Sequence, residues 1–178
     1  MRHYAVLTTI GEDKPGLVDA VSKFILDCEC NIEDSRMAVL GGDFAMLILV
    51  SGSAASMEKL LKTSARAGEK LQLSIQPRLT RPPAKAVRKE TLPYELEAFS
   101  LDHPGIVQHV ANYLAGRQIN IRLLDTTLTL APVTGVPLFS LHAIVDLPAG
   151  ENLMEVRRGL QALGERENID IDLKPAQV

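Results

Sequence analysis

The hydrophobic positions near the start of the chain change from a strand-like to a helical pattern. Residues 3–10 are rich in Val, Leu, Thr and Tyr and end at Gly11, a composition typical of a β-strand. After a turn, the apolar positions recur at helical spacing and form one stripe, made of Leu17, Val18, Val21, Phe24, Ile25 and Cys28. Pro15 is predicted to lie in the first turn of this helix, because its missing N–H would have no partner there. The chain is therefore expected to open with a strand and an amphipathic helix.

Two further strands, a second helix and a last strand complete the first half. Between residues 31 and 50, two strand-like runs flank the turn-prone residues 41–43, which predicts a hairpin. Residues 53–67 have the apolar spacing of a helix. Residues 71–76 alternate apolar and polar side chains, as in a half-buried strand. The predicted order is β-α-β-β-α-β.

The second half repeats this order at a constant offset. The stretches "GEDKPGLVDA" and "SLDHPGIVQH" begin at Gly11 and Ser100, 89 positions apart, and Asn31 aligns with Asn120 at the same offset. A constant offset means no net insertion or deletion between these landmarks, which indicates a duplicated structural unit. Phe44 aligns with Phe139 at an offset of 95 instead, because "APVTGVP" lengthens the second hairpin turn. The pattern predicts strands near 94–101, 119–130, 136–147 and 169–174, and helices near 104–117 and 151–166.

These patterns predict an α+β protein made of two ferredoxin-like (βαββαβ) domains, at residues 1–79 and 93–178. Each domain would pack two helices on one face of a four-stranded antiparallel sheet. The segment between them, residues 80–92, is predicted to be a semi-extended linker, because "RLTRPPAKAVRKETLP" holds three prolines and five basic residues. A basic patch for an acidic partner is the alternative reading of this segment. The unbroken apolar run "FAMLILV" needs cover on both sheet faces, supplied by the sister domain or a second chain, and we expect a homodimer.

The composition argues against several classes of protein. A net charge of −3 and a pI near 5.8 disfavour direct nucleic-acid binding, which relies on clustered Lys and Arg. The chain has no secretory signal and no apolar run of roughly 20 residues, so we expect a cytoplasmic protein without a membrane partner. Cys28 and Cys30 form neither a disulfide framework nor a zinc site, and we expect both to be reduced. An aromatic content of 4% argues against base-stacking RNA recognition.

A small acylphosphatase-like hydrolase is the enzymatic alternative for this topology. Such an enzyme would bind phosphate through an arginine in the first loop and hold water with an asparagine. Here the first loop offers Lys14, but beside Glu12 and Asp13, and the second offers His103 beside Asp102. The four histidines share no metal-ligand spacing, and no nucleophile, base and orienting group are recognisable. We therefore expect no catalytic residue, metal or cofactor, and keep the hydrolase as the less favoured function.

The loop at residues 13–16 has features that suit an amino-acid ligand. It leads directly into a predicted helix N-terminus, where free N–H groups and the helix dipole attract a carboxylate. Gly16 has no Cβ and lets a ligand approach the backbone. Asn31 and Asn120 follow the first helix of each half and offer an amide that both donates and accepts hydrogen bonds. The same residue types also make a good turn and helix start without any ligand, so a purely structural turn stays an open alternative.

The quoted stretches "DKPGLV", "CNIEDSRMAVLGGDFAMLILV", "DHPGIV" and "INIRLLDTTL" resemble tandem ACT domains of the glycine cleavage system transcriptional repressor family, over nearly the whole chain. The resemblance implies a non-enzymatic regulator that binds a small amino acid, glycine or another one, at ACT interfaces near these loops. It also implies that the protein modulates transcription through a partner activator protein and does not read DNA itself. The positions that match the ligand site are Asp13, Lys14, Pro15, Gly16, Leu17, Asn31, Asp102, His103, Pro104, Gly105, Ile106 and Asn120. Because Lys14 and His103 differ at matching places, the two sites need not bind equally.

Overall fold

The computed structural model describes residues 2–82 and 91–176, which form two compact units. The strands of the first unit extend to Thr80, and those of the second begin at Thr91. Most of the predicted linker at 80–92 lies outside the described residues, so the proposed domain boundaries stay a prediction. Within the described part, no helix is both long and apolar enough to span a bilayer.

The first unit consists of two helices and a four-stranded antiparallel sheet. Its elements are β1 (His3–Glu12), α1 (Leu17–Asp27), β2 (Asn31–Leu40), β3 (Asp43–Gly52), α2 (Ala54–Leu71) and β4 (Ser74–Thr80). The sheet order is β2-β3-β1-β4. The βαββαβ order predicted from the sequence is confirmed.

The second unit repeats the first. Its elements are β5 (Thr91–Leu101), α3 (Ile106–Gly116), β6 (Asn120–Leu130), β7 (Pro137–Pro148), α4 (Leu153–Glu167) and β8 (Asp170–Pro175). The sheet order β6-β7-β5-β8 matches that of the first unit. The predicted fold class, two ferredoxin-like units in tandem, is confirmed.

Each unit buries its own core between the helices and one sheet face. In the first unit, α1 contributes Leu17, Val21 and Ile25, α2 contributes Met57 and Leu60, and β3 contributes Phe44, Met46, Ile48 and Val50. The alternation along β3 follows from the strand period of two, which turns every second side chain towards the helices. Cys28 and Cys30 are free thiols in this core, and burial raises the pKa of Cys30.

The hairpin difference predicted from the offsets is present in the register. Val39 pairs with Phe44 in the first unit, and Leu128 pairs with Phe139 in the second. The first hairpin turns through two glycines at positive φ, 62° and 93°, which a tight turn of this hand requires. The second hairpin instead closes at the pair Leu130 and Pro137, and its loop occupies residues 131–136.

Several element boundaries differ from the predictions, among them the starts of β5 at Thr91 and of α4 at Leu153. Three of the differences arise from a left-handed residue. Helix α1 begins at Leu17 because Gly16 has φ 91°, so Pro15 lies in the turn before the helix. Helix α3 likewise begins at Ile106 and not at 104. Helix α2 continues to Leu71 and ends at Gln72, which has φ 58°, so residue 71 is helical and not part of the last strand. Glutamine is an unusual helix terminator, and the sequence pattern therefore gave no stop signal there.

The outer faces of the two sheets differ in polarity. In the first unit, Leu47 and Ile10 point away from the helices and remain 50% and 49% exposed. In the second unit, His142 Nε2 lies 2.7 Å from Glu95 Oε1, and Lys174 Nζ lies 2.9 Å from Glu97 Oε2. The hydrogen bond from His142 is the main reason that the pKa of Glu95 is lowered. The outer face of the second unit therefore combines these charged contacts with exposed apolar side chains, including Phe99 and Leu101 at 54% and 61% exposure.

Candidate functional site

The loop between β1 and α1 is exposed and is tied to neighbouring elements by two polar contacts. The backbone N–H of Asp13 donates to the carbonyl of Gly42 at 2.9 Å. Lys14 Nζ donates to Gln72 Oε1 at 2.9 Å and lies 3.3 Å from Glu12 Oε2. The loop is thus positioned by the hairpin on one side and by the end of α2 on the other.

The helices that follow these loops begin differently from the other two helices. Helices α1 and α3 each start after a left-handed glycine, Gly16 or Gly105, and no side chain among the described residues caps either one. In contrast, Ser53 caps α2 by accepting from the N–H of Ser56, and Asn152 caps α4. Among the four helices in the described parts of the chain, only α1 and α3 therefore leave their first N–H groups without a side-chain cap, which is the condition for binding an anion there.

The backbone conformation alone is a sufficient reason for glycine at position 16. An L-residue at φ 91° would be strained, whether or not a ligand binds. A Cβ built on Gly16 would have no atom within 4 Å in the described structure, apart from its chain neighbours. The space beside the helix start is therefore open. The Asp19 carboxylate in the first turn of α1 interacts favourably with the positive end of the helix dipole. It therefore competes with an anionic ligand for the helix N-terminus.

The structure does not bring the loop and the asparagine together within one unit. Asn31 pairs with Ser51, which pairs with Tyr4 near the beginning of β1. Asp13 follows Tyr4 by nine residues, so the loop and Asn31 lie about 30 Å apart along the strands. The second unit repeats this separation. Asn120 pairs with Asp146, which pairs with Pro93, and Asp102 in the loop follows Pro93 by nine residues. A ligand of glycine's size cannot contact both groups of the same unit.

Asn31 instead belongs to a separate polar cluster. Its Nδ2 donates to Glu33 Oε1 at 3.1 Å, and Ser51 Oγ donates to the same oxygen at 2.5 Å. These two hydrogen bonds, from Ser51 first and Asn31 second, lower the pKa of Glu33. Arg2 lies 3.5 Å from the same carboxylate. A cavity of about 320 Å³ opens here, lined in part by Arg2, Glu29 and Asn31.

Glu33 is only two residues from Asn31 on β2, but sequence patterns could not identify Arg2 or Ser51 as members of this cluster. Arg2 lies beside β1 and Ser51 lies on β3, so they approach Glu33 only through the sheet register. In the second unit, Arg122 takes the position of Glu33 and Asp146 takes the position of Ser51, and the two form an ion pair. A cation thus replaces the carboxylate on the first strand of the pair, and a carboxylate replaces the hydroxyl on the second. The polar cluster is therefore not repeated.

Two histidines lie at the loop between β5 and α3: His103 within the loop and His109 in α3. His103 Nδ1 lies 3.2 Å from the carbonyl oxygen of Pro104, and its Nε2 is buried without a hydrogen-bond partner in the described residues. The imidazole of His109 lies against Gly105, where a Cβ would be 3.3 Å from Cε1. His109 Nδ1 is 3.1 Å from Glu167 Oε2, close enough for an ion pair but not aligned as a hydrogen bond.

Glu167 anchors this cluster at the end of α4. A hydrogen bond from Arg166 is the main reason that the pKa of Glu167 is lowered, and the nearby His109 and His103 lower it further. No sequence pattern links His109 to Glu167, because the two residues approach each other only where α3 packs beside α4. In the described parts of the chain, no group of three or more His, Cys, Asp or Glu residues is arranged to hold a metal ion.

Comparison with known proteins agrees with this architecture. The ACT domain model matches residues 3–77. A crystal structure of an unknown protein from Galdieria sulphuraria is 31% identical, covers 99% of this chain and 100% of its own, and superposes with a TM-score of 0.80. Residues 3–77 belong to the ACT-domain family. The second unit lies outside the matched range but has the same ACT topology.

The relatives of this ACT protein include transcriptional repressors. The glycine cleavage system transcriptional repressor of Escherichia coli is 39% identical over 89 residues, which are 48% of this chain and 47% of the repressor. The match thus spans about half the length of this curated relative. A crystal structure of a proposed glycine cleavage system transcriptional repressor, 24% identical, covers 100% of this chain and 99% of its own with a TM-score of 0.74, and shows the same fold. The resemblance predicted from the sequence is confirmed.

Proposed function

We propose that this protein is a non-enzymatic, cytoplasmic regulator that binds a small amino acid, with glycine as the first candidate, and modulates transcription through a partner protein. The repressor relatives support a regulatory role. The net charge of −3 supports action through a protein partner over direct contact with DNA phosphates.

The uncapped start of α1 is the observation that carries the proposal. Its first N–H groups have no side-chain acceptor, and the helix dipole adds a partial positive charge. The ligand carboxylate would accept hydrogen bonds from these groups, beginning at Leu17, in the open space beside Gly16. The Asp13 carboxylate would attract the ligand's ammonium group, while Lys14 would attract its carboxylate. Pro15 holds the turn that brings these residues to the helix start.

A homodimer would allow an asparagine to take part in the same site. Asn31 is too far from the loop of its own unit, so it would reach the ligand only from a second copy of the chain. The exposed Leu47 and Ile10 on the outer sheet face support association, because apolar side chains gain stability when a partner covers them. Size-exclusion chromatography with light scattering measures the oligomeric state directly.

The small size of glycine limits its affinity. Five heavy atoms at no more than about −1.5 kcal/mol each give at best about −7.5 kcal/mol, a dissociation constant of a few micromolar. Isothermal titration calorimetry with glycine, alanine, serine and larger amino acids tests the proposal on the intact protein. We expect saturable heat with at least one small amino acid, at a dissociation constant of micromolar or weaker. The absence of heat with every amino acid at millimolar concentration, on folded protein, would overturn the proposal.

A parallel assay separates the regulator from the hydrolase. The protein is incubated with an acyl phosphate, and release of inorganic phosphate is followed. We expect no turnover above the uncatalysed rate. Turnover that depends on the Lys14 side chain would favour the acylphosphatase-like function instead.

A further inference from the structure

The two helix starts have the same backbone but different side chains one turn later. Gly16 and Gly105 are both left-handed, with φ 91° and 102°. Each carbonyl accepts the first helical hydrogen bond, from Ala20 N at 3.0 Å and from His109 N at 2.9 Å. The offset of 89 that relates the glycines also relates Ala20 to His109. The duplicated units therefore differ at the residue that lies directly over the glycine.

This difference decides whether the space beside the glycine is open. A Cβ on Gly16 would meet no described atom within 4 Å, whereas a Cβ on Gly105 would lie 3.3 Å from Cε1 and 3.5 Å from Nε2 of His109. The imidazole thus occupies in the second unit the position that is vacant in the first.

His109 is held in this position by the end of α4. Its Nδ1 lies 3.1 Å from Glu167 Oε2, and the two side chains are only 35% and 21% exposed. Arg166 contacts the other oxygen of the same carboxylate at 2.7 Å. The imidazole therefore lies between Gly105 and a carboxylate that is contacted at both of its oxygens.

We propose that His109 closes the helix start of the second unit, so that the first unit alone binds the amino acid and each chain takes up one ligand. This inference rests on the proposed function, since it concerns the same kind of site. It assigns His109 as the residue that determines which of the two duplicated loops binds. The loop with His103, Gly105 and Ile106 then has a structural role, while the loop with Gly16 and Leu17 is the sensor.

The stoichiometry of glycine binding tests this assignment on the full chain. Calorimetry is expected to give one glycine per chain for the wild type and two for His109→Ala, which places at 109 the residue found at position 20. His109→Phe keeps the space filled by an aromatic ring and is expected to retain one. Gln108→Ala, an exposed change on the same helix, is the matched control and should also retain one.

Amide chemical shifts in ¹⁵N-labelled protein identify which loop binds. With glycine, the N–H signals of Leu17 and Val18 should move in the wild type, and those of Ile106 and Val107 should move only in His109→Ala. Two ligands per wild-type chain, or one ligand located at Ile106, would overturn the inference and leave the proposed function standing. One ligand in a folded His109→Ala variant would also overturn it. If another small amino acid binds in place of glycine, the same stoichiometries are expected with that ligand. Absence of binding of every amino acid to the folded wild type would instead overturn the proposed function itself.

Discussion

Replacement of Gly16 separates the backbone role of this residue from its role in ligand access. Gly16 has φ 91° and ψ −1°, and an added Cβ would meet no described atom within 4 Å. The cost of Gly16→Ala is therefore backbone strain without a steric clash, about 1–2 kcal/mol for an L-residue in a left-handed conformation. Asparagine tolerates this conformation better than alanine, so Gly16→Asn should cost less. The larger side chain nevertheless fills more of the open space.

Thermal unfolding and glycine titration are measured on the same samples. For a unit of this size, about 1–2 kcal/mol lowers the melting temperature by about 4–16 °C. We expect stability to fall in the order wild type, Gly16→Asn, Gly16→Ala, while both variants lose glycine binding at temperatures where they are folded. Gly135→Ala is the matched control. Gly135 has φ 66° and no neighbour within 4 Å of an added Cβ, so its replacement should cost similar stability but leave binding unchanged.

Two results would refute this reasoning. If Gly16→Ala binds glycine with wild-type affinity, the ligand does not approach the open side of the helix start. If Gly16→Ala is as stable as the wild type, the helix start does not have the left-handed geometry. Because the two Gly16 variants should rank differently in stability but not in binding, general destabilisation cannot account for the expected pattern.

Two further predictions concern packing and ionisation. Gly68→Ala should destabilise the first unit by about 1–3 kcal/mol in chemical unfolding, because the added Cβ would lie 2.5 Å from a backbone oxygen. Gly116→Ala is the control. An added Cβ at this position would have no described atom within 4 Å, so the change should be neutral or stabilising. Ser51→Ala should raise the pKa of Glu33 more than Asn31→Ala does, measured by NMR titration, since Ser51 makes the larger contribution to lowering it. Because the pKa of Glu33 is lowered in the folded state, its ionised carboxylate stabilises the fold at pH values above the ordinary Glu pKa of about 4.3. This stabilisation is lost as the pH falls through the folded-state pKa. An unchanged pKa in both variants would contradict the hydrogen bonds seen in the structure.

The sequence was a good guide to the elements and to the duplication. Helical and strand periods differ strongly, and each predicted run is long enough to display its period. The change of offset from 89 to 95 predicted the six-residue difference between the two hairpins, which the register at Phe44 and Phe139 confirms. Boundaries were less accurate, as at Gln72, because a left-handed residue other than glycine leaves no local signal.

Local motifs predicted the loop of the candidate site but not which distant residues lie near it. The motif located the loop at residues 13–16, since its turn and helix-start chemistry is local. The same reasoning placed Asn31 with the loop, but β2 pairs with β3 in a register that puts Asn31 at the opposite end of the sheet. Short separation along the chain is a poor guide to distance when a helix and a strand pairing lie between two residues.

The sequence by itself determined the repeated βαββαβ order and the two glycine loops, because hydrophobic period and turn chemistry act over a few neighbouring residues. Only the tertiary structure decided which distant polar groups meet: Glu33 with Ser51 and Arg2, and His109 with Glu167. Those contacts depend on strand register and helix packing, which are set by burial of the whole core and not by any local pattern.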